Sequence, residues 1–140
     1  MAGKEQGGLI EQIYGPGCMI ECISASVAED RALTLVEASG VARVGPAEAY
    51  LAVHAGRLLA VYLLAAAILG DDADVILEWA RTDADRPWAA LQSRPDVVPH
   101  EWSGRRDELE SGPAAETTAA QQLLVAVLRS RPVASVDLRR

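Results

Sequence analysis

Phenylalanine is absent from this chain, and aromatic residues make up only 4% of it. A core built from what remains is aliphatic and alanine-filled. Lysine occurs once, as Lys4. A Walker-type phosphate loop ends on a lysine after a glycine-rich turn, and no such motif occurs. Neither the G-x-G-x-x-G turn of dinucleotide sites nor the G-x-S-x-G elbow of esterases is present. Two cysteines, Cys18 and Cys22, are too few for a disulfide framework. The opening residues, MAGKEQGG, hold no long apolar run, so no secretory signal is read there and cytoplasmic residence is the expectation.

A basic stripe is lacking too. The chain carries 13 basic and 20 acidic residues, a net charge of −7. Residues 1–46 and 47–100 are each acidic, and residues 101–140 are balanced at 6 and 6. Nucleic-acid binding needs clustered lysine and arginine to displace counterions from phosphate, so it is excluded as an expectation. A basic protein surface is the better electrostatic partner.

What is present in excess is alanine and leucine. Half of the 140 residues are apolar, which excludes wholesale disorder, and the length suits one domain with its own core. The apolar residues concentrate in Ala47 to Leu69, AEAYLAVHAGRLLAVYLLAAAIL, behind Pro46. Proline suits a first helical position, because its missing N–H has no partner there. Glu48 then meets the positive end of the helix dipole, and Gly70 supplies a left-handed stop. From Leu51 to Leu69, 16 of 19 residues are apolar. At 100° per residue Leu51, Leu58, Tyr62 and Leu69 share a face, while Val53, Leu64 and Ile68 lie nearly opposite. A helix apolar all round must be covered on most sides. A membrane span competes on length. His54 and Arg57 interrupt the run, and Asp71, Asp72 and Asp74 follow it, so a buried soluble helix and no membrane partner are expected.

Around this helix the sequence predicts an α+β domain, mostly helical, over residues 1–140. Residues 1–8 read as a flexible, glycine-rich leader. Residues 18–27 and 32–38 are rich in β-branched residues and read as a β-hairpin turning at Glu29-Asp30. A single helix across 18–38 is the rival. The acidic trio Asp71, Asp72 and Asp74 opens a second helix through about Arg81, with Val75, Ile76 and Trp79 inward. Asp85 and Pro87 open another, carrying Trp88 and Leu91 and stopping before Pro95. Residues 95–113 form an irregular loop, a kind of segment that often carries function. A last helix spans about Ala114 to Ser130. Val133 to Leu138 alternates and reads as a strand that could extend the N-terminal sheet.

Several constellations could carry chemistry. Cys18, Cys22, His54 and His100 make four candidate zinc ligands, but the cysteine pair is too widely spaced and neither histidine is paired, so no metal and no cofactor are expected. Cys18, behind a Gly-Pro-Gly turn, could act as a nucleophile with His54 or His100 as base. Arg94 and His100 stand at an Arg-x5-His spacing used by some helical ribonucleases, with Pro95 and Pro99 breaking the helix that would aim them. The Asp71-Asp72-Ala73-Asp74 run lacks the spacing of a calcium loop and suits a helix start. His54 and Arg57 lie on one side of the long helix and form a candidate ligand pocket. Ala52, Gly56 and Ala60 recur every four residues, a small-residue stripe that lets two helices approach and is the candidate self-association face. Trp102, in the irregular loop, is the candidate exposed anchor for a partner.

The sequence therefore points first to a non-enzymatic acidic protein-interaction module. It would act as an adaptor, as a bacterial immunity- or antitoxin-like protein, or as a self-assembling homo-oligomer subunit. Its interface residues would be Ala52, Gly56, Ala60 and Trp102. A small enzyme or ligand-binding domain using Cys18, His54, Arg57 or His100 is the alternative.

Overall fold

The computed structural model describes residues 8–14, 18–82, 85–110 and 114–130. Of these, 84% are helical. Among the described residues seven α-helices run in order: α1 Gly8–Tyr14, α2 Ala25–Ser39, α3 Pro46–Leu69, α4 Asp74–Thr82, α5 Arg86–Ser93, α6 Arg105–Glu110 and α7 Ala114–Arg129. Short 3-10 turns occupy Cys18–Ile23, Val41–Arg43 and His100–Trp102. No strand occurs among the described residues.

α3 is the axle of the molecule. Helices α2, α4, α5 and α7 pack against it, as do the 3-10 turns at 18–23 and 41–43. Its ends follow the sequence signals. Pro46 stands at the start, and Gly70 closes the helix at φ 72°, with its N–H directed to the carbonyls of Ala66 and Ala67. From Leu58 to Ala66 every residue is buried. Each large aliphatic side chain enclosed in this way contributes about 1.5–3 kcal/mol relative to exposure. Tyr62 is fully buried and meets Trp79 of α4 edge to face, with centroids 5.8 Å apart. Helix α3 is long and apolar enough to cross a membrane, and 67% of its most apolar window is buried within the chain.

The expected β-hairpin does not form. Residues 18–23 make a 3-10 turn, and residues 25–39 are one helix in which Glu29 and Asp30 are interior positions. The physical reason lies in the alanines. Ala25, Ala28, Ala32, Leu35, Val36 and Ser39 are buried and recur at helical spacing, so they form the stripe that packs on α3. Of the β-branched residues that suggested strands, Val36 belongs to that stripe, while Val27 and Thr34 sit beside it, half-buried. Strand preference reflects how a side chain fits a half-covered pleated surface, and here no such surface exists. Asp30 and Arg31 do not break the pattern, because they lie off the buried stripe. Arg31 pairs with Glu21 and sits over the Tyr14 ring at 4.4 Å. The fold is therefore all-helical through the described residues, and not α+β. The C-terminal strand expected at Val133 to Leu138 lies outside them.

Residues 9–14, ambiguous in sequence, are helical, with Leu9 and Ile10 buried. The stretch expected to be an irregular loop from 95 onward is partly ordered by local bonds. Arg94 Nε and Nη2 donate to the two carboxylate oxygens of Asp96, both at 2.8 Å, and Val97 N–H closes a turn on the Arg94 carbonyl at 3.2 Å. This fork holds the Asp96 carboxyl below its ordinary value, the hydrogen bond from Arg94 being the main cause. Asp85 occupies the residue before α5, as its sequence suggests, but makes no capping hydrogen bond. Its carboxylate instead accepts from Arg106 of α6.

Candidate functional site

The small-residue stripe lies inside the protein. Ala52, Gly56 and Ala60 are all buried. A Cβ built on Gly56 would stand 3.8 Å from Val36 Cγ2, so the close approach there is between α3 and α2 of one chain. Trp102 is also inward, only 5% exposed. Its indole Nε1 donates to Glu29 Oε2 at 2.9 Å, and the same oxygen accepts from Arg105 Nη2 at 3.0 Å. The Arg105 guanidinium covers the Trp102 ring at 4.3 Å.

The predicted His54–Arg57 pocket is not built as a pair of floor residues. Arg57 reaches across to α6 and donates to Glu108 at 2.6 Å, with both side chains well exposed. His54 is half-buried on the same helix. The Cys18 side chain lies outside the described part, and Cys22 is buried in the core. Among the described residues no group of three or more His, Cys, Asp or Glu side chains is placed to hold a metal ion.

Two surface features stand out instead. The first is the start of α3. Among the described residues, Val44, Tyr50 and Val53 are three of the four large hydrophobic side chains that remain exposed, the fourth being Leu33 of α2. Tyr50 and Val53 are three residues apart, and Pro46, Ala47 and Ala49 beside them are exposed as well. The first two turns of α3 thus present an apolar face to water, touched at one edge by a 3.4 Å hydrogen bond from the Tyr50 hydroxyl to Glu116 of α7. Sequence reasoning missed this face because it assigned the small residues, one side further round, to the contact. The available signal was the all-round apolarity of the run, which is covered on every side only from Leu58 to Ala66.

The second feature is a cleft of about 480 Å³ between α5 and the chain from Pro95 to Arg106. Trp88, Leu91, Pro95, Val98, Pro99 and Trp102 make its apolar wall. Gln92, His100, Ser103 and Arg106 add polar groups. Arg106 lies over the Trp88 ring at 5.4 Å, bonds Asp85, and donates from Nε to Glu110 at 3.1 Å. These bonds, that to Asp85 foremost, raise the Arg106 guanidinium above its ordinary value. His100 is therefore at a cleft, as is one edge of Trp102, whereas His54, Arg57, Ala52, Gly56 and Ala60 are not among its lining residues.

No protein-family model matches this chain, and the searches of curated proteins and of solved structures return no match.

Proposed function

We propose that this protein is a non-enzymatic interaction module of the cytoplasm that docks a basic protein through the start of α3. The observation that carries the reading is the exposure of Val44, just before α3, and of Tyr50 and Val53 in its first turns, on a helix whose Leu58–Ala66 stretch is buried. Such a face lowers its free energy when a partner covers it. The charge selects the partner. At net −7 two copies of this chain repel one another, while a basic surface is drawn in over a Debye length. Three side chains fall short of the roughly 800 Å² per partner of a standard interface, so the patch is the apolar centre of a contact whose rim is electrostatic.

The test is Val53→Asp, an exposed change that leaves the core untouched. Proteins cross-linked to wild type and to Val53→Asp are compared, and the captured partner is then titrated as a purified protein. The reading expects binding at least tenfold weaker in Val53→Asp and weaker again at high salt. Equal binding by both chains would overturn it. So would a wild-type dimer in light scattering that Val53→Asp dissociates, since the face would then belong to a second copy.

A further inference from the structure

No residue of α3 lines the cleft beside α5, so the cleft is a feature apart from the exposed face of that helix. Its volume of about 480 Å³ falls within the range of small-molecule sites, roughly 300–1,000 Å³. Its wall is apolar and aromatic, as such sites are. Its charge favours neither sign of ligand. No Asp or Glu is among the lining residues, so a cation finds no counter-ion there. Arg106 is the one lining residue with a permanent charge, and it is already shared between Asp85 and Glu110. An anion would have to displace one of those carboxylates. Arg86 and Glu101, exposed and opposite in charge, do not line the cleft. What the lining offers beyond its wall is hydrogen bonding, from the side chains of Gln92, His100 and Ser103. All three are exposed, and among the described residues none of these side chains is engaged in a hydrogen bond. An amide, a neutral imidazole and a hydroxyl each both donate and accept. Moving a charged group out of water without a counter-ion costs far more than moving a hydroxyl or an amide that finds a partner.

We propose that this cleft binds an uncharged, mainly apolar small molecule, its body against Trp88, Leu91, Val98 and Trp102 and a hydroxyl or amide group toward Gln92, His100 and Ser103. Three probes of one body differ in charge: 1-naphthylmethanol, 1-naphthylmethylamine and 1-naphthoate. Near pH 8 the first is neutral, the second a cation and the third an anion, and an ordinary imidazole is neutral. The readout is the indole N–H signals of the full chain in proton–nitrogen correlation spectra. Trp88 and Trp102 should shift with saturation while Trp79, in the core against Tyr62, stays still. The alcohol should bind most tightly, about fivefold or more ahead of either charged probe. Gln92→Glu, at an exposed lining position, adds the carboxylate that the cleft lacks, and the amine should gain about threefold or more. Ser103→Tyr, also exposed and lining, should block all three probes by filling the space. The proposal is overturned if either charged probe matches the alcohol on the wild-type chain, or if the alcohol shows no saturable binding at about 1 mM. Shifts spread over all three tryptophans, binding that survives Ser103→Tyr, and an amine unmoved by Gln92→Glu overturn it as well.

Discussion

Arg105 enters the interior with fewer acceptors than it has donors. Its Nη2 meets Glu29, while Nε and Nη1 are buried without a hydrogen-bond partner. Glu29 Oε2 serves two donors at once, Arg105 and the Trp102 indole. Removing it strands both, and a buried group left without its partner costs far more than the bond was worth net. Glu29→Ala should therefore lower unfolding free energy by about 1–3 kcal/mol in urea titrations, the range reflecting the half-exposure of Glu29. Arg105→Met, which keeps the bulk over Trp102 and removes the unmatched donors, should cost less. A second residue-scale expectation concerns Tyr14. Burial raises its hydroxyl above the ordinary tyrosine value of 10.0, against the opposing pull of Thr34 and Arg31. The folded state then holds the Tyr14 proton more tightly than the unfolded chain does. Its contribution is complete below pH 10 and falls away as pH rises through the higher folded value. Melting curves across alkaline pH should decline less steeply in Tyr14→Phe, and an unchanged slope would refute the assignment.

Among the helices, Gly56 within α3 and Gly70 at its end respond in opposite directions. Gly56 has ordinary helical geometry and room for one methyl group, so Gly56→Ala should raise stability by about 0.5–1 kcal/mol. Gly56→Leu should instead overpack the contact with Val36 and cost about 1–3 kcal/mol, at any protein concentration, because the contact is within the chain. Gly70 sits at φ 72° with open space around it, so Gly70→Ala should cost about 1 kcal/mol through backbone strain alone. Thermal melts of the three variants check all of this. The ends of α3 were legible because Pro46 and Gly70 are local signals, and Pro95 stopped α5 for the same reason. For α2 a helix was only the rival reading, and the hairpin was preferred. Its buried stripe is mostly alanine, which does not register as core by hydrophobicity, whereas its β-branched residues do register as strand. The loop with His100 and Trp102 was singled out as a kind of segment that often carries function, and a cleft lies beside it. Trp102 itself was misjudged as exposed, because what draws it inward is Glu29, 73 residues away. No local pattern encodes such a pairing. Nor does spacing alone reveal that α2 fills the side of α3 carrying Ala52, Gly56 and Ala60.

Taken whole, the molecule wraps a membrane-length helix in its own helices. The packing of α2, α4, α5 and α7 on α3 supports the expectation that the chain is recovered in water without detergent, checked by its partition between soluble and carbonate-washed membrane fractions. The central place of α3 in the sequence also sets an order of events. Helices α2 and α3 are neighbours in the chain, joined by Gly40 to Gly45, and closing so short a loop takes little time. Helix α7 reaches the same axle only after a closure of some 45 residues or more, which costs additional chain entropy. The α2–α3 hairpin should thus be the folding nucleus, with α7 arriving after the barrier. Truncating Val36 to Ala should slow refolding, whereas Val127→Ala should mainly hasten unfolding. The helix that holds the native structure together would then also be the one that starts it.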